Sequence, residues 1–136
     1  MVLSSLAFHY IEHIEPVFEK IYKNLKAGGY FIFSQEHPIA TAKKIPNGWI
    51  TDKDGQKKYW VLDNYQEEGI RKQHWFIDGV VKYHRTLSTL INGLIDTGFS
   101  IVKIAEPAAL KEAELNNANL KNERRRPPFI IIKVCK

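Results

Sequence analysis
Apolar and polar residues alternate along this chain with two periods, and the switches between them divide it into strands and helices. Val2-Leu3-Ser4-Ser5-Leu6 is a short apolar stretch of strand type. Ile14, Phe18, Ile21, Tyr22 and Leu25 then recur at offsets of 4, 7, 8 and 11, one face of a helix. Pro16 suits the first helical turn, where its missing N–H costs nothing. Gly28-Gly29 is placed to end the helix, since glycine accepts the left-handed conformation found there. Tyr30-Phe31-Ile32-Phe33 is an unbroken apolar run, the pattern of a strand buried on both faces of a parallel sheet. Strand, helix and strand make a βαβ unit, which is right-handed almost without exception.

Residues 36–60 hold two prolines, two glycines and many Lys and Asp, and read as a long surface excursion. Gln73 to Ile77 and Val80 to Tyr83 are β-prone runs separated by Asp78-Gly79, which predicts a hairpin turning at that dipeptide. Leu87, Leu90, Ile91, Leu94 and Ile95 predict a second helix, capped by Thr86 and ended by Gly98. Phe99 to Ile104 predicts a strand. Pro107 opens a third, weaker helix through about Asn119, and Phe129 to Val134 is the last strand. The 136 residues are expected to form one domain, 1–136, with 36–85 as a loop-and-hairpin insertion.

Charge is unevenly placed. Residues 1–68 carry 8 Lys/Arg and 9 Asp/Glu, whereas 69–136 carry 12 and 6. Much of the excess is the run Arg124-Arg125-Arg126, which reads either as a phosphate-binding patch or as a solvated turn before a buried strand. No helix-turn-helix, zinc-finger or RNP-like pattern accompanies it, which argues against nucleic acid as a partner. One cysteine, Cys135, excludes a disulfide framework, and the five histidines lack the spacing of a metal site. No apolar run approaches membrane-spanning length and the N-terminus lacks a basic signal region, so a soluble cytoplasmic protein is expected.

Four stretches, in order, resemble one family: Leu3 to Tyr10, Leu25-Lys-Ala-Gly-Gly-Tyr-Phe-Ile-Phe-Ser34, Tyr83-His-Arg-Thr-Leu-Ser88 and Leu94-Ile-Asp-Thr-Gly-Phe99. They are similar to the C-terminal half of class I S-adenosylmethionine-dependent methyltransferases acting on small molecules. Leu-Lys-Ala-Gly-Gly resembles that family's "LKPGG" turn, with alanine for proline. The resemblance implies an α/β fold: a partial Rossmann-like sheet of the family's strands four to seven, the last antiparallel, with flanking helices and an added β-hairpin. It implies S-adenosylmethionine as cofactor. The family's glycine-rich loop and ribose-binding acidic residue have no counterpart, and no G-x-G occurs, so the full cofactor site is not expected within these residues. A bare edge at the first strand then predicts a homodimer, or a partner supplying the N-terminal half.

Ligands in such open sheets bind beyond the carboxyl ends of the parallel strands. That places Ser4, Ser5, Leu6 and Tyr10 as cofactor-contacting candidates, with satisfaction of the strand-to-helix turn as the alternative for the serines. His9, Tyr83 and Arg85 are substrate-binding candidates; packing at the helix entries is the alternative. Glu36, His37 and His84 are acid/base or acceptor-orienting candidates, Glu36-His37 reading either as a catalytic pair or as a solvated loop. Trp49, Trp60 and Trp75 line an acceptor pocket or belong to the core.

Overall fold
The computed structural model describes residues 1–44, 48–75 and 77–136, with the side chains of residues 73–78 outside the description. Strand β1 (Val2–Ser5) leads through a 3-10 turn (Phe8–Tyr10) into helix α1 (Glu15–Asn24) and strand β2 (Tyr30–Glu36). The short helix α2 (Pro38–Thr41) follows, then strands β3 (Trp49–Thr51) and β4 (Lys57–Trp60). Strands β5 (Gly69–Trp75) and β6 (Ile77–His84) form the hairpin. Helix α3 (Leu87–Thr97), strand β7 (Ser100–Ala105), helix α4 (Lys111–Asn116), a 3-10 segment (Ala118–Arg125) and strand β8 (Phe129–Cys135) complete the chain.

The main sheet has the order β1-β2-β8-β7. β1 runs parallel to β2, and β8 is antiparallel to both its neighbours. The expected sheet of four strands with an antiparallel last member is thus present. β3 with β4, and β5 with β6, form separate two-stranded sheets. The hairpin's β6 packs on the 3-10 turn after β1 and on α2 after β2, so it overhangs the carboxyl ends of the two parallel strands.

One face of the sheet carries the core. Phe18 from α1, Leu90 and Leu94 from α3, Phe31 from β2, and Ile130, Ile132 and Val134 from β8 have no exposed surface. The rings of Phe8, Phe18, Phe31 and Phe33 stack or tilt on one another with centroids 4.8–6.3 Å apart. The other face is different. Leu3, Tyr30, Phe129 and Ile131 point there and are 66%, 40%, 37% and 37% exposed. The apolar run at 30–33 therefore belongs to a strand covered on one face, not two. Both long helices pack on the same side, and no described element covers the opposite one.

Other boundaries also moved. α1 ends at Leu25, whose N–H reaches the carbonyls of Ile21 and Tyr22. The glycines lie beyond that cap: Gly28, at φ +73°, makes the turn into β2, where its N–H donates to the carbonyl of Lys136 at 2.9 Å. Trp75 pairs with Ile77, so Gly79, at φ +79°, lies inside β6 beside a register shift and does not form the reversal. The third helix is only Lys111–Asn116, because Asn117 turns extended and its side chain caps the 3-10 segment instead. Thr86 and Gly98 act as expected: the Thr86 hydroxyl accepts from the N–H of Thr89 at 3.1 Å, and Gly98 adopts φ +104°.

Candidate active site
β1 ends in a sharp backbone change. Leu6 takes φ +50°, a conformation that non-glycine residues rarely adopt and that recurs at functional turns. Its N–H donates to both the carbonyl and the hydroxyl of Ser34, at 2.9 and 3.2 Å, which holds the turn to β2. Ser5 sits beside Ser34, hydroxyl to hydroxyl at 3.5 Å, and Ser4 is half-buried within β1. After this turn a cleft of about 280 Å³ opens between Leu6, His9, Tyr10, Glu36 and Phe129. It lies beyond the carboxyl ends of β1 and β2, where a sheet of this kind receives ligands.

His9 is buried, and its Nδ1 accepts the backbone N–H of Glu36 at 3.3 Å. An accepting Nδ1 places the ring hydrogen on Nε2, so His9 is a hydrogen-bond donor in the cleft. Burial holds its pKa below the usual histidine value, against the nearby Glu36 carboxylate. Tyr10 packs on His9 with ring centroids 4.2 Å apart. Its hydroxyl is held above the ordinary tyrosine pKa by burial and by Glu36. The Glu36 carboxylate binds the ammonium of Lys82 at 2.6 Å, and Lys82 also lies 6.0 Å from the centre of the Tyr10 ring.

Glu36 and His37, adjacent in sequence, take different partners. The Nδ1 of His37 accepts the N–H of Ile39 at 3.1 Å, capping α2, and its Nε2–H donates to Glu106 at 2.8 Å. His84 has no exposed surface. Its Nε2–H donates to the carbonyl of Tyr65 at 2.9 Å, and its Nδ1 accepts the hydroxyl of Thr41 at 2.8 Å. Both nitrogens of each of these two rings are thus occupied, and burial, the largest cause, lowers the pKa of both. Of the three acid/base candidates, Glu36 is the one whose side chain lines the cleft.

Arg85 donates to the carbonyls of Ile11 and Glu12, and Tyr83 reaches Glu12 Oε2 at 3.4 Å. Tyr83, His84 and Arg85 line a second cavity of about 360 Å³, with Glu12 and His13. Tyr83 and Arg85 fasten the hairpin to the loop before α1, and none of the three is brought together with Glu36 in the cleft.

Three groups in or beside the cleft carry weak sequence signals: Lys82 holds Glu36, and Lys43 and Arg126 line a neighbouring cavity that shares Glu36 and Phe129. Lys82 sits at a buried position of β6, where strand alternation marks a lysine as unusual. Lys43 and Arg126 come from the surface excursion and the arginine run. Arg124 and Arg125 of that run are exposed, Arg124 pairing with Glu114 and Arg125 donating to the carbonyls of Lys57 and Lys58, whereas the Arg126 side chain is only 14% exposed. Trp49 and Trp60 pack edge to face at 5.3 Å and line a pocket wall; the Trp75 side chain lies outside the described residues. Among the described residues no three His, Cys, Asp or Glu side chains form a metal-binding group, and no helix is long and apolar enough to cross a membrane.

The order β1-β2-β8-β7, with β8 reversed and the cleft at the ends of β1 and β2, defines the class: the chain has the class I S-adenosylmethionine-dependent methyltransferase fold over that family's strands four to seven. It superposes on a proposed S-adenosylmethionine-dependent methyltransferase from Listeria monocytogenes with a TM-score of 0.90 and 41% identity, over 99% of this chain and 60% of that one. A second such methyltransferase, from Mesorhizobium loti, gives 0.87 and 39%, over 98% and 60%. An uncharacterised protein of Haemophilus influenzae is 38% identical across all 136 residues, which span 53% of its length. No protein-family model matches the chain. The chain therefore spans between half and two thirds of the length of these relatives.

Proposed function
We propose that the chain is the acceptor-side part of an S-adenosylmethionine-dependent methyltransferase acting on a small molecule, with most of the cofactor site supplied by further polypeptide. The observation that carries this reading is the cleft at Leu6, His9, Tyr10 and Glu36, set at the carboxyl ends of β1 and β2 in a methyltransferase sheet. Its chemistry fits one end of the cofactor. A carboxylate and a tyrosine ring are suitable neighbours for a sulfonium cation. When bound, the cofactor supplies a methyl group already activated by positive sulfur, so the protein's task is alignment and exclusion of water. His9 Nε2–H orients the acceptor, and Glu36, steadied by Lys82, receives a proton where the acceptor has one to lose. The bare sheet face at Leu3, Tyr30 and Ile131 and the uncovered outer edge of β1 support the need for additional chain.

A chimera in which residues 1–136 replace the corresponding part of the Listeria relative tests this. It is expected to bind S-adenosylhomocysteine with micromolar Kd by isothermal titration, while the 136-residue chain alone binds about a thousandfold more weakly. A folded chimera that does not bind would overturn the reading. Micromolar binding by the chain alone would overturn the division of the site. The alternative, a non-catalytic half-domain that pairs as a homodimer or serves as a subunit of a split enzyme, is favoured by the same open β1 edge.

A further inference from the structure
The segment that carries the cleft residues His9 and Tyr10 has little of its own to hold it in place. Its 3-10 turn is closed by two backbone bonds, from Tyr10 N–H to the carbonyl of Ala7 at 3.0 Å and from Ile11 N–H to that of Phe8 at 3.2 Å. So short a 3-10 turn has poor hydrogen-bond geometry and depends on its surroundings. Phe8 is buried in the core, and so is Ile14, after which α1 begins without a side-chain cap. Between these two anchors, no described backbone N–H donates to the carbonyls of Ile11 and Glu12.

Arg85, the residue after β6, supplies the missing donor. It is 8% exposed, and its Nη2 donates to both carbonyls, to that of Glu12 at 2.6 Å. Hydrogen bonds from a charged donor are roughly twice as strong as neutral ones, so Arg85 is the main polar tether of residues 11–12. The Tyr83 hydroxyl adds a longer contact to Glu12 Oε2 at 3.4 Å. Three residues before Arg85, Lys82 binds the Glu36 carboxylate at 2.6 Å. β6 and the residue after it thus grip both walls of the cleft, Glu36 on the β2 side and the Ile11–Glu12 main chain on the β1 side. The walls meet where His9 Nδ1 accepts the N–H of Glu36 at 3.3 Å. That bond is at the long end of the normal range, so a small shift of either wall breaks it.

We infer that Arg85 is a positioning residue for methyl transfer: acting through the main chain of Ile11 and Glu12, it fixes His9 and Tyr10 against Glu36. Aligned sites depend on supporting hydrogen bonds of this kind, because alignment is lost with small displacements. Arg85 is 74 and 73 positions from the two carbonyls it holds, so the hairpin sets the cleft's geometry from outside it. The meaning of this role for catalysis rests on the methyltransferase reading; the hold on His9 does not.

The test compares Arg85→Met and Arg85→Lys with the unaltered 136-residue chain by NMR, reading amide exchange at Glu36 and titration of the His9 ring. Arg85→Met is expected to speed exchange of the Glu36 N–H at least tenfold and to raise the His9 pKa towards 6.5, as the ring leaves its buried place. Arg85→Lys keeps the charge but lacks the planar fork, so both readouts should lie between those of the unaltered chain and Arg85→Met. Arg125→Ala, which loosens β3 and β4, should leave both unchanged. Readouts unmoved in Arg85→Met would sink the proposal. Should circular dichroism show Arg85→Met unfolded, Arg85→Lys carries the comparison, and readouts unmoved there sink it equally. In the chimera with the Listeria relative, Arg85→Met should weaken S-adenosylhomocysteine binding at least tenfold and Arg85→Lys at least threefold; affinity unchanged in both removes the role in methyl transfer. A chimera that fails to bind, with His9 and Glu36 still responding to the Arg85 variants, removes the methyltransferase reading and leaves the hold on His9. A chimera that binds, with His9 and Glu36 unresponsive, removes the positioning role alone.

Discussion

Three histidines in this protein are built to stay neutral. His9, His37 and His84 each accept a hydrogen bond at Nδ1, and burial depresses all three pKa values below 6.5. An unfolded chain binds protons at these rings more readily than the folded one, so acid draws the equilibrium towards unfolding. Their contribution is complete above about pH 6.5 and is lost as the pH falls below it. Asp52 and Glu67, whose values are also lowered, act only near pH 4 and below. Urea midpoints measured between pH 7.5 and 5.5 are therefore expected to fall steadily, and a flat profile would show that the rings titrate freely. In the sequence, these histidines are candidates because the residue type carries chemistry. The hydrogen bonds that withdraw His37 and His84 come from Glu106, Tyr65 and Thr41, up to 69 positions away, and no local pattern announces them.

Among the elements, legibility follows length and periodicity. The two long helices and the four strands of the main sheet repeat their apolar residues often enough to be read directly. β3 and β4 are too short for that, and they exist because tertiary contacts hold them. Arg125 crosses 67 or more positions to bind the carbonyls of Lys57 and Lys58, and its guanidinium lies 4.8 Å from the centre of the Trp49 ring. Arg125→Ala is accordingly expected to speed amide hydrogen exchange at least tenfold across residues 49–60, with α3 unaffected. Unchanged exchange there would show that Arg125 merely rests on the strands. The same contact shows what the arginine run cannot tell when read alone: Arg124 and Arg125 stay exposed yet engage a carboxylate and backbone carbonyls, and Arg126 lies over an indole. Half of the candidate site, Leu6 to Tyr10 and Glu36, followed from strand ends. The rest, Lys82 above all, depended on how the hairpin folds back.

At the scale of the whole molecule, one sheet face is packed and the other is apolar and open. Leu3 and the free edge of β1 are the outermost part of that surface. An edge of this kind tends to recruit another strand. The isolated chain is expected to show a dimer mass by light scattering, with Leu3→Lys shifting it to monomer, whereas the chimera with the Listeria relative stays monomeric. A monomeric isolated chain at high concentration would count against pairing through β1. The position of β8 has a separate consequence, one of timing. The strand that lies between β2 and β7 is made after both of them, and Lys136 fastens its end by donating to the carbonyls of Tyr22 and Leu25 at 2.7 and 2.9 Å. At about 5–20 residues per second, synthesis leaves β2 without that neighbour for roughly 5–20 s. During that interval Phe31 and Phe33 have no Ile130 or Ile132 beside them, so the nascent chain is most vulnerable to aggregation and proteolysis until β8 has been made.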